Sequence, residues 1–84
     1  MAEKYTPLES YLRALHPSQE EVTLTFEIIE GILKESLPAA AYQDGAWWGN
    51  QKQGTQVEVI AWMDAGWMVE IVNLNEKWVR FVRQ

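Results

Sequence analysis

Gly66-Trp67-Met68-Val69-Glu70-Ile71-Val72-Asn73-Leu74-Asn75-Glu76-Lys77-Trp78-Val79-Arg80-Phe81-Val82 is the stretch that sets the fold class. Gly66 suits the left-handed conformation that closes a helix, so the element before it ends there. Trp67 to Val72 is β-branched and aromatic and reads as a strand. Asn73 to Glu76 supplies turn chemistry, and Lys77 to Val82 returns as the partner strand. On this reading Trp67, Val69 and Ile71 share one face, with Val79 and Phe81 meeting them across the hairpin. A two-stranded hairpin is marginal in water. A third strand is needed from upstream, and the short β-branched run Glu21-Val22-Thr23-Leu24-Thr25 offers it.

The helices are read outward from there. Thr6 can cap, Pro7 suits the first helical position and Glu9 completes a capping box. Leu8, Tyr11, Leu12 and Leu15 then form one stripe, predicting a helix over 7–15 that His16-Pro17-Ser18 ends. Thr25 is placed to cap a second helix, with Glu27 near its positive end. Phe26, Ile29 and Leu33 form its stripe, and Ile28 with Ile32 widens it, which predicts burial on more than one side. Leu37-Pro38 breaks that helix, and Pro38 opens a short third one over 39–42. Gln43 to Gly54 is irregular around Trp47-Trp48. Thr55-Gln56-Val57-Glu58 is a second capping box, predicting a helix over about 56–64. The sum is an α+β fold in one domain, residues 1–84: about four helices on one face of a small antiparallel sheet ending in a C-terminal hairpin. A winged-helix-like arrangement suits this order, with the helix just before the hairpin as an extra.

Composition narrows the function classes. The chain has 84 residues, 48% of them hydrophobic, with five Trp, three Tyr and two Phe, which argues against disorder. It contains no Cys, so disulfides, cysteinyl zinc sites and thiol nucleophiles are excluded. No apolar run reaches the roughly 18 residues of a membrane span. Met1-Ala2-Glu3-Lys4-Tyr5 lacks a secretory apolar stretch, so a cytoplasmic setting is expected. The net charge of −5 disfavours general binding to phosphate backbones.

Catalytic chemistry finds little support. His16, the single His, sits at a helix end and reads as a surface or capping residue. Ser10, Ser18 and Ser36 have no nucleophile motif around them, and Gly45, Gly49 and Gly54 lack a phosphate-loop ending. Glu27 and Glu30 share a helix face without further ligands at metal spacing, and they read as solvated, as do Glu20 and Glu21. The expectation is a non-enzyme with no metal and no cofactor.

Two features could bind a partner. Ala46-Trp47-Trp48-Gly49-Asn50 places adjacent indoles in a Gly-rich loop, and both cannot easily face one core. Trp47, Trp48 and Asn50 are therefore the candidate protein contacts, against the reading in which the rings fill a small core and Asn50 fixes the loop. The charge is also uneven: residues 1–76 carry a net −8, whereas 77–84 carry Lys77, Arg80 and Arg83. Those three are candidate nucleic-acid contacts on a wing-like hairpin, or contacts to another anionic partner, against the reading in which they protect an edge strand from aggregation.

Several motifs in order resemble a family of small uncharacterised bacterial and phage domains, a domain of unknown function. They are Pro7-Leu8-x-x-Tyr11-Leu12, Val22-Thr23-Leu24-Thr25-Phe26-x-x-Ile29-Glu30-x-Ile32-Leu33, Leu37-Pro38, Trp47-Trp48-x-Asn50, Ala61-Trp62-x-x-Ala65-Gly66-Trp67 and Val79-x-Phe81-x-Arg83. The resemblance covers nearly the whole chain and implies a bacterial or phage origin with no assigned activity. Relative to that family's pattern, Ala40-Ala41-Tyr42 stands where Ser-Ala-Arg is usual after Leu-Pro. Asp44-Gly45 stands where an Arg precedes the tryptophans, and Gln56, Val57, Glu58 and Ile60 replace polar and basic residues. The apolar frame stays while the basic surface is lost. A protein-directed binding module in a phage or bacterial defence setting is the expectation, with a winged-helix-like nucleic-acid binder as the alternative.

Overall fold

The computed structural model describes residues 5–49 and 57–84, with the side chains of Val57, Glu58 and Ile60 outside that description. The elements run α1 (Thr6–Arg13), β1 (Glu21–Thr25), α2 (Phe26–Leu33), α3 (Ala39–Gln43), a 3-10 turn (Gly45–Trp48), α4 (Val57–Asp64), β2 (Trp67–Asn73) and β3 (Trp78–Arg83). The strands form one antiparallel sheet in the order β1-β3-β2. The α+β reading and the recruitment of residues 21–25 beside the hairpin both hold.

β3 is central because both neighbours need it: Leu24 and Val72 each pair with Val79, and Val22 and Val69 with Phe81. This overturns the edge-protection reading of Arg80 and Arg83, which lie on the one strand that has no free edge. Gly66 takes φ 89° to close α4, as its lack of a Cβ permits. The hairpin turn sits one residue later than expected, over residues 74–77, because β2 runs on to Asn73 and β3 begins at Trp78. Lys77 adopts φ 61° within it, while the Asn73 side chain accepts from Glu76 N–H at 2.9 Å.

Leu8 and Leu12 of α1, Phe26, Ile29 and Leu33 of α2, and Val59, Ala61 and Trp62 of α4 meet the inner face of the sheet in one core. Thr25 caps α2 as expected, accepting from Ile28 N–H at 3.1 Å. α1 departs from its predicted start, since Tyr5 occupies the cap position and Glu9 pairs with Arg13 at 2.9 Å. Arg13 also donates to the Asp64 carbonyl at 2.7 Å, tying the end of α1 to the end of α4. α2 stops at Leu33, short of Pro38, because Lys34 turns left-handed at φ 62°. Ile28 is 49% exposed, so α2 is buried along one stripe with Ile32 at its flank and is not enclosed. The second capping box, Thr55 to Glu58, falls largely outside the described residues.

A β-bulge changes the other face. The register slips between Val69 and Ile71, leaving Glu70 as the extra residue. Ile71 therefore points outward with Arg80 and is 43% exposed, while Val72 takes the inward place opposite Val79. The expected facing set Trp67–Val69–Ile71 is corrected to Trp67, Val69 and Val72.

Candidate functional site

The tryptophan pair separates. In the 3-10 turn, which Asp44 caps by accepting from Ala46 N–H at 2.9 Å, successive side chains diverge by about 120°. Trp48 therefore goes inward, is 1% exposed, and donates its indole N–H to the Ala41 carbonyl at 2.9 Å. Its ring stacks between Phe26 and Trp62, with centroids at 5.0 and 5.8 Å. Trp47 stays half-buried at the rim, edge-on to Trp48 at 4.7 Å and near Tyr5 at 6.2 Å. Of the three candidate protein contacts, Trp48 is occupied by the core, Trp47 keeps an accessible side, and Asn50 lies outside the described residues.

The basic residues separate too. Arg83 packs its guanidinium 4.4 Å from the Trp67 ring centroid and donates to the carbonyls of Gln19 and His16, both at 3.0 Å. It is a clamp between β3 and the α1–β1 connection. Lys77 is exposed in the hairpin turn. Arg80 lies on the outer face of the sheet, donating to Thr23 Oγ1 at 3.3 Å, with Glu70 at 3.9 Å and the Trp78 ring at 5.7 Å. The structure does not bring the three cations together on one surface.

The carboxylates divide as well. Glu27, Glu20 and Glu21 are exposed as expected, but Glu30 is not a solvated surface group. Its Oε2 accepts from Leu37 N–H and from the Tyr42 hydroxyl, both at 2.8 Å, holding the α2–α3 connection. Partial burial raises the Tyr42 pKa, and the Glu30 carboxylate it bonds raises it further. His16 is exposed, and its Nδ1 lies 2.7 Å from Ser18 Oγ while accepting from Ser18 N–H at 3.1 Å, a local turn. Among the described residues no group of three or more His, Asp or Glu could hold a metal ion, and no helix is long and apolar enough to cross a membrane.

The surface that sequence reading missed is the outer face of the sheet. Three cross-strand rows lie on it: Glu21, Val82 and Met68; then Thr23, Arg80 and Ile71; then Thr25, Trp78 and Asn73. Met68, Ile71, Trp78 and Val82 belong to none of the packing around the core. The alternation of β3 held the signal, because Trp78, Arg80 and Val82 must oppose Val79 and Phe81. The bulge that adds Ile71 left no such signal.

The family model described as Domain of unknown function (DUF7662) matches residues 5–84. The chain belongs to this family. No curated protein and no solved structure matches the chain. The DUF7662 match spans all eight elements, from the core contacts of α1 to the Arg83 clamp, so the fold described here and the family domain have the same extent.

Proposed function

We propose that this DUF7662 chain is a non-enzymatic, cytoplasmic binding module that acts through protein–protein contact in a bacterial or phage setting. The observation that carries the reading is the outer sheet face. It presents Met68, Ile71, Trp78 and Val82 around Arg80, and among the described residues none of these four packs against the core cluster. Trp and Arg on a partly apolar surface are the residue types that dominate binding hot spots. Trp47 offers a second aromatic contact at the rim. The acidic remainder of the chain contributes selectivity and steering. The nucleic-acid alternative retains only Lys77 and Arg80, since Arg83 spends its donors on backbone carbonyls.

The test is affinity capture from host lysate with and without nuclease, comparing the native chain with Ile71→Lys and Trp47→Ala. A partner retained after nuclease and lost with Ile71→Lys supports the reading. An identical partner set on a folded Ile71→Lys variant removes the face from the assignment. Capture that nuclease abolishes transfers the function to the nucleic-acid alternative.

A further inference from the structure

We propose that the outer face of the sheet is a two-fold interface with a second copy of this chain. The proposal rests on the protein-binding reading and names its partner. The face is nearly balanced in charge at its centre although the chain carries −5. Arg80 Nη1 and Glu70 Oε1 stand 3.9 Å apart, beyond hydrogen-bond distance, with side chains 35% and 47% exposed. The Arg80 Nε–H bonds Thr23. Among the described residues no hydrogen bond is made by its terminal nitrogens. An acidic partner would compete with Glu70 for Arg80, and a basic one would compete with Arg80 for Glu70. A second copy brings both charges.

The placement of these groups suits a two-fold operation. An axis running along the seam between β2 and β3 lays each β3 over its mate's β2. Arg80 then meets Glu70 of the mate and Val82 meets Met68, while Ile71 lies against the Arg80 stem, each contact occurring twice. Aligned sheets pack in this way about 10 Å apart. The bulge at Glu70 is what brings an isoleucine and a carboxylate to neighbouring outward positions, so one irregularity supplies both the apolar and the acidic half of the contact.

Extent sets the strength. The axis leaves β1 outside the overlap, so two facing strands of about six residues cover about 20 by 10 Å, well short of the roughly 800 Å² per partner of a standard interface. The association is therefore reversible and weak.

Sedimentation equilibrium on the whole chain, from about 10 µM to 1 mM, tests it in the range where weak complexes dissociate. The mass should rise with concentration from 9.7 kDa toward twice that value. Arg80→Glu and Glu70→Arg should each weaken association about tenfold or more, and the double charge swap should restore it. Ile71→Lys, at a position already 43% exposed, should weaken association without unfolding the chain, as checked by circular dichroism. A constant monomer mass overturns the proposal, as does a dimer indifferent to both Ile71→Lys and Arg80→Glu. A double swap that fails to restore association overturns it too, because the pairing is then wrong. A monomer leaves the protein-binding reading standing, since that reading falls only through the capture experiment.

Discussion

Removing the Trp48 side chain separates a structural tryptophan from a contact tryptophan. At 1% exposure, with aromatic rings on both faces and its N–H on the Ala41 carbonyl, the indole has no solvent-facing part. Trp48→Ala removes the stacked ring and its hydrogen bond together, and aromatic-to-Ala changes in cores cost about 3–5 kcal/mol. Trp48→Phe keeps an aromatic ring between Phe26 and Trp62 but strands the Ala41 carbonyl, for about 1–3 kcal/mol. A chain of this size has about 4–13 kcal/mol in total at typical stability per residue. Trp48→Ala therefore consumes a large share. With a urea slope of about 1.3 kcal/mol/M, the midpoint should fall by about 3 M for Trp48→Ala and by about 1–2 M for Trp48→Phe. Urea titration followed by far-ultraviolet circular dichroism reads both, and is not confounded by the loss of a fluorophore. A Trp48→Ala midpoint within about 0.5 M of the parent, with m unchanged, would refute the core assignment and return Trp48 to the surface.

Two further outcomes follow from polar contacts. The raised Tyr42 pKa means the folded state resists ionising this phenol, whereas the unfolded state loses the proton near the ordinary value of about 10. Its contribution is thus complete below about pH 10 and is lost as pH rises through the folded value; Tyr42→Phe should flatten the alkaline fall in melting temperature, with absorbance at 295 nm following the ionisation. Arg83→Met keeps the stem on Trp67 but removes the donor to the Gln19 carbonyl, while the His16 carbonyl keeps the Gln19 N–H, so it should cost about 1–3 kcal/mol by thermal melting. Arg83→Lys should recover only part of this, because an ammonium cannot reproduce the planar fork; full recovery would point to a purely charge-based role.

What was legible in the sequence is local. Thr25 as a cap, Gly66 as a stop and the short β1 run all act within one turn or one strand, and each stands where it was expected. The misread positions depend on neighbours distant in sequence. Ile71 alternates correctly with Val69 on paper, yet one extra residue in β2 reverses it, and bulge energetics depend on the partner strand. Glu30 looked solvated because its two donors come from Leu37 and Tyr42 across a chain reversal. Arg83 looked free for the same reason, its acceptors being some 65 residues away. The aromatic pair was half readable: divergence of Trp47 and Trp48 follows from adjacency, but which one enters the core follows from where Phe26 and Trp62 stand.

The position of β3 in the middle of the sheet also governs when the domain can exist at all. β1 leaves the ribosome long before β3, the strand it pairs with, does: Thr23 waits for Arg80, 57 residues later. Until then Leu24 and Val22 sit in a strand with both edges open, and the helices have no sheet to close on. During synthesis at about 5–20 residues per second, that interval lasts about 3–11 s, in which the exposed run is a target for chaperones or for a neighbouring nascent chain. The last strand to be made works as a release step, committing the whole core at once, so the domain should be born late and all together, not in stages.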